Sequence, residues 1–448
     1  MTTNPLEQLQ DQAINSTNYY AMHLAEVDKK TAVISTEDII NTENIPLVKK
    51  GTRITSEIAK RIIKHKLHKP IEQQVDIEQS VKKNTLFKEF EFVLEKYPDL
   101  KQIHEHSGLQ KSFKILVNTY IVSPLITQKL TVFSKQLPTE FEKTLFCTLL
   151  AMNIAYAAKL TKDEIITTFL TGLTHDLGLL HISPDSFSDQ EKLSVQQWRD
   201  IQTHVVTGYL FVASLGIEYK HVAKAILEHH ERCDGTGYPV AKTAAQLGTV
   251  GQIIAMADSL QAIRVNQFEE VGRNLRSALP FLKMNEKTHS ELVYRATVSI
   301  INTVSEENTS VTSFVNQKEH IEYLISRGNK LGNASAIVEL ITHLSNELTL
   351  LEDGQTMLRV IIPFNHMIRQ SGIIEEHIVK WLEHVDGTES YNPDQELCEL
   401  ELMQNELYWQ LKKVSSTYIN FLEKEPDAGS EELMLYLLKV SAEIDSFL

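Results

Sequence analysis

Between residues 175 and 258, four histidines and two aspartates sit at or inside segments that are otherwise apolar: His175, Asp176, His204, His229, His230 and Asp258. Polar side chains at such positions are costly to bury unless something pairs with them. A chain with this pattern must therefore fold so that the six find partners. In "EIITTFLTGLTHDLG" the apolar residues Ile165, Ile166, Phe169, Leu170 and Leu173 form one helical face running into His175 and Asp176. In "DIQTHVVTGYLFVASLG", His204 lies on an apolar helix with Gly208 one turn further along the same face. A glycine inside a helix costs about 1 kcal/mol relative to alanine and usually marks a close approach.

"HHERCDGTGYP" then places His229 and His230 before a turn rich in glycine and fixed by Pro239. Neighbours on a helix point about 100° apart, so both imidazoles reach one place only beside the helix end. In "GQIIAMADSL", Asp258 interrupts another apolar helix. Taken singly, each feature also fits an ordinary hydrogen-bonded core residue or tight packing. Taken together, imidazole nitrogen with carboxylate oxygen suits iron, manganese, zinc or nickel. No thiolate belongs to the set, which argues against a structural zinc site. Two divalent ions against two carboxylates would leave a positive centre that attracts phosphate and acidifies a bridging water.

The rest of the chain narrows the setting. A net charge of −15 disfavours a nucleic-acid polymer or an anionic membrane as partner. The most apolar stretch, "TLFCTLLAMNIAYAAKL" (144–160), contains Asn153 and has charged flanks, so a buried core helix is expected rather than a membrane span. Cys147, Cys233 and Cys398 lack ligand spacing and read as free thiols of a reducing compartment. "MTTNPLEQLQDQ" has no secretory character, so a cytoplasmic location is expected.

The length predicts several domains. A small α+β N-terminal module is expected over 1–80, with two short strands around Lys-Lys-Gly in "IPLVKKGTRIT" and a helix over "SEIAKRIIKHKLH" ended by Pro70. A helical connector broken at Pro98 and Pro124 follows over 81–135. The region with chemistry spans 136–305, and a helical, rather acidic C-terminal extension spans 306–448. The predicted fold class is mainly α. The flanking regions are expected to serve packing, a homodimer or a signalling partner.

"HDLGLLHISPD" followed by "HHERCDGTGYP" resembles the HD-GYP branch of the HD-domain phosphohydrolases over roughly 136–280. That resemblance implies an HD-type helical bundle and two divalent metal ions. It also implies hydrolysis of a cyclic dinucleotide, cyclic di-GMP first, by a metal-bridging hydroxide. By position, Asp176 would bridge the metals, His204, His229 and His230 would hold one ion, and His175 with Asp258 the other. Gly237, Tyr238 and Pro239 would shape the substrate side. Three departures accompany the match. Leu179 stands where the family usually has lysine, with His181 nearby as a substitute proton donor or extra ligand. "FCTLLAMNIAY" offers no ligand for a third metal. "QFEE" (267–270) replaces a basic segment, leaving Arg264, Arg273 or Arg276 to meet phosphate. These departures suit an alternative, a catalytically degenerate sensor or scaffold that binds a nucleotide or a protein without turnover.

Overall fold

The computed structural model describes residues 19–78, 80–120, 123–183, 195–269, 272–305, 316–343, 348, 354–385 and 393–424. Pro184 and Asp185 of the first motif, Glu270 of "QFEE" and the N-terminal 1–18 lie outside these. The chain divides into two compact units. The first comprises Met1–Cys233, Gly237–Val265 and His289–Ser305; the second comprises Asp234–Thr236, Asn266–Thr288 and Glu306–Leu448.

The first unit opens with helix α1 (Tyr20–Asp28) and four short strands, β1 (Val33–Ser35), β2 (Ile39–Ile40), β3 (Pro46–Val48) and β4 (Val75–Ile77). They make two antiparallel pairs. β1 pairs with β4 in the register Val33 to Ile77, and β2 pairs with β3. The two short strands expected around Lys-Lys-Gly do not pair with each other. Beyond that turn Arg53 bridges Ile34 of β1 instead, while the preceding strand pairs backwards to Ile39. Helix α2 (Ser56–Ile62), capped by Thr55, is also shorter than "SEIAKRIIKHKLH" suggested. It stops eight residues before Pro70, and Leu67 leaves helical geometry to bridge Asn41. Tertiary strand pairing overrides the local helical period there.

Helices α3 (Lys83–Lys96), α4 (Pro98–His106), α5 (Gln110–Tyr120) and α6 (Pro124–Gln136) follow. Pro98 and Pro124 each occupy the first turn of a helix, where the missing N–H is not needed. The apolar stretch lies in α7 (Pro138–Ala157), whose residues Thr144–Ala155 are all buried. Among the described residues no helix is long and apolar enough to cross a membrane. Helix α8 (Lys162–Thr174) starts from a Thr161/Glu164 capping box and packs along α7. Helices α9 (Val195–Gln202), α10 (His204–Ala213), α11 (Lys220–Glu228) and α12 (Thr249–Ile263) complete the bundle that carries the histidine and aspartate positions.

The second unit contains α13 (Leu279–Met284), while α14 (Glu291–Ile301) returns to the first. Four longer helices then follow, α15 (Gln317–His343), α16 (Gly354–Ser371), α17 (Glu376–Val385) and α18 (Asp394–Lys424). They share a core of their own that includes Leu324, Leu331, Met357, Phe364, Leu407 and Tyr418.

In the first unit, Phe146 of α7 is fully buried and meets the Tyr97 ring edge-on at 4.9 Å. Replacing Phe146 by alanine is expected to lower the unfolding free energy by about 3–5 kcal/mol in a denaturant titration. A loss below 1 kcal/mol would contradict a close-packed α7.

Candidate metal centre

Each histidine of the set stands at a break in a helix. His175 caps the C-terminus of α8, His204 opens α10 directly after Thr203, and His229 caps α11 with His230 following. Asp258 lies five residues before the end of α12. The sequence pattern put polar residues at the margins of apolar faces, and the bundle turns those margins toward one another.

Three of the imidazoles are held in the same way. Nδ1 of His175 lies 2.8 Å from the Gly172 carbonyl, Nδ1 of His204 is 2.6 Å from that of Ile201, and Nδ1 of His229 is 2.6 Å from that of Ile226. A carbonyl only accepts, so each Nδ1 carries the proton and, in the neutral ring, each Nε2 keeps a lone pair. Those lone pairs converge. His204 Nε2 and His229 Nε2 are 3.3 Å apart, and the His229 and His230 rings have centroids 4.1 Å apart. Two lone pairs facing one another at that distance repel unless a cation lies between them. Asp176 presents one oxygen to each side, with Oδ2 3.3 Å from His175 Nε2 and Oδ1 3.5 Å from His204 Nε2.

The ligand-type atoms fall into two groups whose members lie within 4.8 Å of each other, His204–His229–His230 and His175–Asp176–His229. The first is the trio expected from the sequence. In the second, His229 stands where Asp258 was expected. The Asp258 carboxylate is 3.9 Å from His230 Nδ1, beside the first group rather than within the second. The donor set of imidazole nitrogen and carboxylate oxygen, with its lone pairs turned inward, fits divalent cations.

The electrostatics agree. Burial lowers the pKa of His204, and it holds those of His229 and His230 well below the usual value, with neighbouring histidines adding repulsion. His175 is the exception. Burial opposes its charge, but Asp176 at its side outweighs burial and pushes it up to about 9, so a proton takes the place a cation would hold. Asp176 is correspondingly lowered; burial opposes this, and His175 outweighs it. Burial first and then the Asp176 charge raise Asp258 to about 6. Glu140, in the first turn of α7, adds to that rise and lies outside the "FCTLLAMNIAY" stretch inspected for a further ligand.

The supporting residues were not legible from the motif alone. Glu231, fully buried, accepts from the backbone N–H of Val240 and of Lys242, each at 2.8 Å, and so holds the loop that carries Gly237, Tyr238 and Pro239. Glu228 accepts from Lys242 Nζ at 2.8 Å and from Gly248 N at 2.9 Å. The Tyr238 ring stacks on His230 with centroids 4.7 Å apart. A Cβ on Gly237 would meet the Glu231 backbone at 2.4 Å, and one on Gly178 would meet the His204 carbonyl at 2.0 Å. Gly208 faces the His175 carbonyl and Gly178 N, which is the close approach its position suggested.

Two candidates lie elsewhere. His181 does not join the ligands; its Nε2 is 2.5 Å from Lys129 Nζ and its ring stacks on Tyr20. Its position five residues after Asp176, at the end of a single 3-10 turn, points it away from the cluster. Arg264 does not offer a free guanidinium for phosphate, because its Nε donates to Asp99 at 2.7 Å in a largely buried ion pair. Leu179, at the position of the family lysine, is buried.

Two outcomes follow from this geometry. Gly178→Ala is expected to force α10 outward and weaken Mn²⁺ binding at least tenfold, roughly the scale of lost ligand support, as read by calorimetric titration. The second outcome concerns the chain freed of metal by a chelator. The folded His204, His229 and His230 take up protons only below the ordinary 6.5, so below that pH the unfolded chain binds more protons and stability is lost as pH falls. Asp258 works the other way, because its contribution is present below the unfolded value of 3.8 and vanishes as pH rises through about 6. His175 acts between 6.5 and about 9, above this window. Three imidazoles outweigh one carboxyl, so the melting temperature should drop between pH 6.5 and 5. A flat or rising profile would contradict a buried neutral trio.

Comparison with known proteins bears on the same residues. A family model described as HD domain matches residues 121–291. The 3'3'-cGAMP-specific phosphodiesterase 1 of Vibrio cholerae is 32% identical over 114 residues, 25% of this chain and 26% of that protein. Phosphodiesterase 3 of the same specificity and organism is 28% identical over 146 residues, 31% of this chain and 30% of that one. The cyclic di-GMP phosphodiesterase PA4108 of Pseudomonas aeruginosa is 26% identical over 153 residues, 34% of this chain and 37% of that one. The chain thus spans about a quarter to somewhat over a third of the length of these relatives. The HD domain family is metal-dependent, in keeping with the inward-facing donors. Residues 121–291 thus match an HD domain, and the two motifs within them lie in the region similar to these cyclic-dinucleotide phosphodiesterases.

Proposed function

We propose that this HD domain is a metal-dependent phosphodiesterase that opens a cyclic dinucleotide, with cyclic di-GMP the first substrate to test. The observation that carries the reading is the convergence of four imidazoles on a carboxylate that faces two sides, His175 on one and His204 on the other. The relatives support the substrate class, since their names specify 3'3'-cGAMP or cyclic di-GMP. A pair of divalent cations supplies Lewis acidity toward phosphoryl oxygens and an acidified water as nucleophile.

The chain's own residues do the rest. Backbone carbonyls at Gly172, Ile201 and Ile226 fix the tautomer of His175, His204 and His229 before any ligand arrives, so little reorganisation accompanies binding. In this reading His204, His229 and His230 would hold one cation and His175 and Asp176, with His229 at their side, the other, while Asp258 would support the set from beside His230. Tyr238, stacked on His230, and the loop pinned by Glu231 form the wall against which a base or ribose would lie.

A second reading, binding without turnover, is favoured by one specific observation. Two of the cationic groups expected near phosphate are not available there, because Leu179 is apolar and Arg264 is committed to Asp99. The same experiment separates the two. Metal content is measured beside product analysis on cyclic di-GMP, 3'3'-cGAMP and cyclic di-AMP. The phosphodiesterase reading expects linear dinucleotide or mononucleotide from one of these. It further expects Asp176→Ala and His229→Ala each to cut turnover at least a thousandfold, roughly 4 kcal/mol of lost barrier stabilisation, while leaving the helical signal intact. Metal retained and nucleotide bound without product would establish the sensor instead. Turnover surviving in both variants would remove the metal centre from the reaction.

A further inference from the structure

A second buried charged cluster lies outside the ligand set. Lys129 of α6 is inaccessible to solvent. Its Nζ is 3.3 Å from Glu72 Oε1 and 2.5 Å from His181 Nε2. It also lies 3.9 Å from the centre of the Tyr20 ring and 4.5 Å from that of Phe211. The four partners come from different places. Tyr20 and Glu72 belong to the N-terminal module, on α1 and on the turn Ile71–Gln73. His181 ends the turn Leu177–His181 that follows Asp176, and Phe211 lies about two turns after His204 on α10.

An ammonium without partners would not be tolerated in such a place. Glu72 supplies the countercharge, and the aromatic faces add cation–π attraction. Burial, reinforced by the Lys129 charge, keeps the His181 imidazole neutral and able to accept. A further layer fixes these partners: the Tyr20 hydroxyl donates to Gln128 Oε1 at 3.2 Å, and Gln128 Nε2 donates to the carbonyls of Glu72 and Val75. The path to the ligands is short. Leu179 N donates to the Asp176 carbonyl at 2.9 Å, and Gly178 in the same turn lies against the His204 backbone so closely that no side chain fits between them. A shift of His181 therefore moves both Asp176 and the start of α10.

We infer that Lys129 is a positioning residue whose buried ammonium fastens the N-terminal module to the two elements carrying Asp176 and His204, so that the module sets the spacing of those metal ligands. This rests on the metal-centre reading above. It gives residues 20–77 a role in shaping the site, through one side chain that touches neither metal nor substrate.

The test uses the full chain, with Mn²⁺ affinity measured by calorimetry and the visible spectrum of the Co²⁺-loaded protein as a report of ligand geometry. Lys129→Met alone would strand the Glu72 charge, so the decisive variant is the double Lys129→Met/Glu72→Gln, which removes both charges and keeps the volume. Replacing a buried ion pair with groups of similar shape is often neutral for stability. The double variant is expected to melt near the wild type yet bind Mn²⁺ roughly tenfold more weakly, the scale of lost outer-shell support, with a changed Co²⁺ spectrum. A control double variant, Lys49→Met/Asp38→Asn, removes an exposed ion pair of the same module and should change neither signal. Wild-type Mn²⁺ affinity and an unaltered Co²⁺ spectrum in a folded Lys129→Met/Glu72→Gln chain would overturn the inference, and so would equal losses in the control. Should that variant fail to fold, Glu72→Gln alone is judged by the same two signals. A wild-type chain that binds neither ion would instead overturn the metal-centre reading, and this inference with it.

Discussion

Everything at this site depends on a backbone constraint. Three histidines donate Nδ1–H to the carbonyl three residues earlier, and that single bond decides which nitrogen is left for chemistry. Because His175, His204 and His229 occupy helix breaks, those carbonyls have room for a side-chain donor, although that of Ile226 also takes the His229 backbone N–H at 3.5 Å. The imidazoles are thereby locked with Nε2 facing inward, where the lone pairs of His204 and His229 oppose each other at 3.3 Å. The arrangement is frustrated without positive charge. On the neighbouring His175, Asp176 favours a proton in the place a cation would hold.

The bundle makes this constraint possible by bringing two backbones into contact. Gly178 removes a side chain where the turn after Asp176 meets α10, so that this turn sits closer to the backbone of His204 and Gly208 than an alanine would allow. On the other side, Glu228 and Glu231 use fully buried carboxylates to anchor the loop after His230 through backbone N–H groups. These glutamates stabilise the loop from behind, while Tyr238 packs on His230 and on the Val205, Val206 and Leu227 cluster. Each is satisfied by several donors, which is the condition under which a buried carboxylate is retained.

The departures from the family pattern acquire a physical shape in the fold. Leu179 packs into the core where a lysine would reach out, and Arg264 serves α4 through Asp99. Positive charge near the site comes instead from Arg232, which donates to the carbonyls of His229 and Glu231 and to Ser259, and from the buried Lys129 behind the Asp176 turn. Cationic support has thus moved from the face that would meet phosphate to the scaffold that holds the ligands.

The sequence by itself determined the helical class, the core identity of the 144–160 stretch and the six residues that had to find partners. Apolar periodicity and the cost of burying polar groups are local properties, readable wherever they occur along a chain. It also exposed the two motifs, since glycine and proline spacing marks a turn whatever surrounds it. Only the tertiary structure decided that His229 faces both groups, that His181 and Arg264 belong to other partners, and that β3 pairs back to β2 rather than across its own turn. Which atoms meet depends on helix crossings and strand register, which many distant contacts fix together. Lys129 shows this most clearly. In sequence it is one lysine on an amphipathic helix, indistinguishable from a solvated one, and only the packing of α1, α6 and α10 around it makes it a buried charge with four partners.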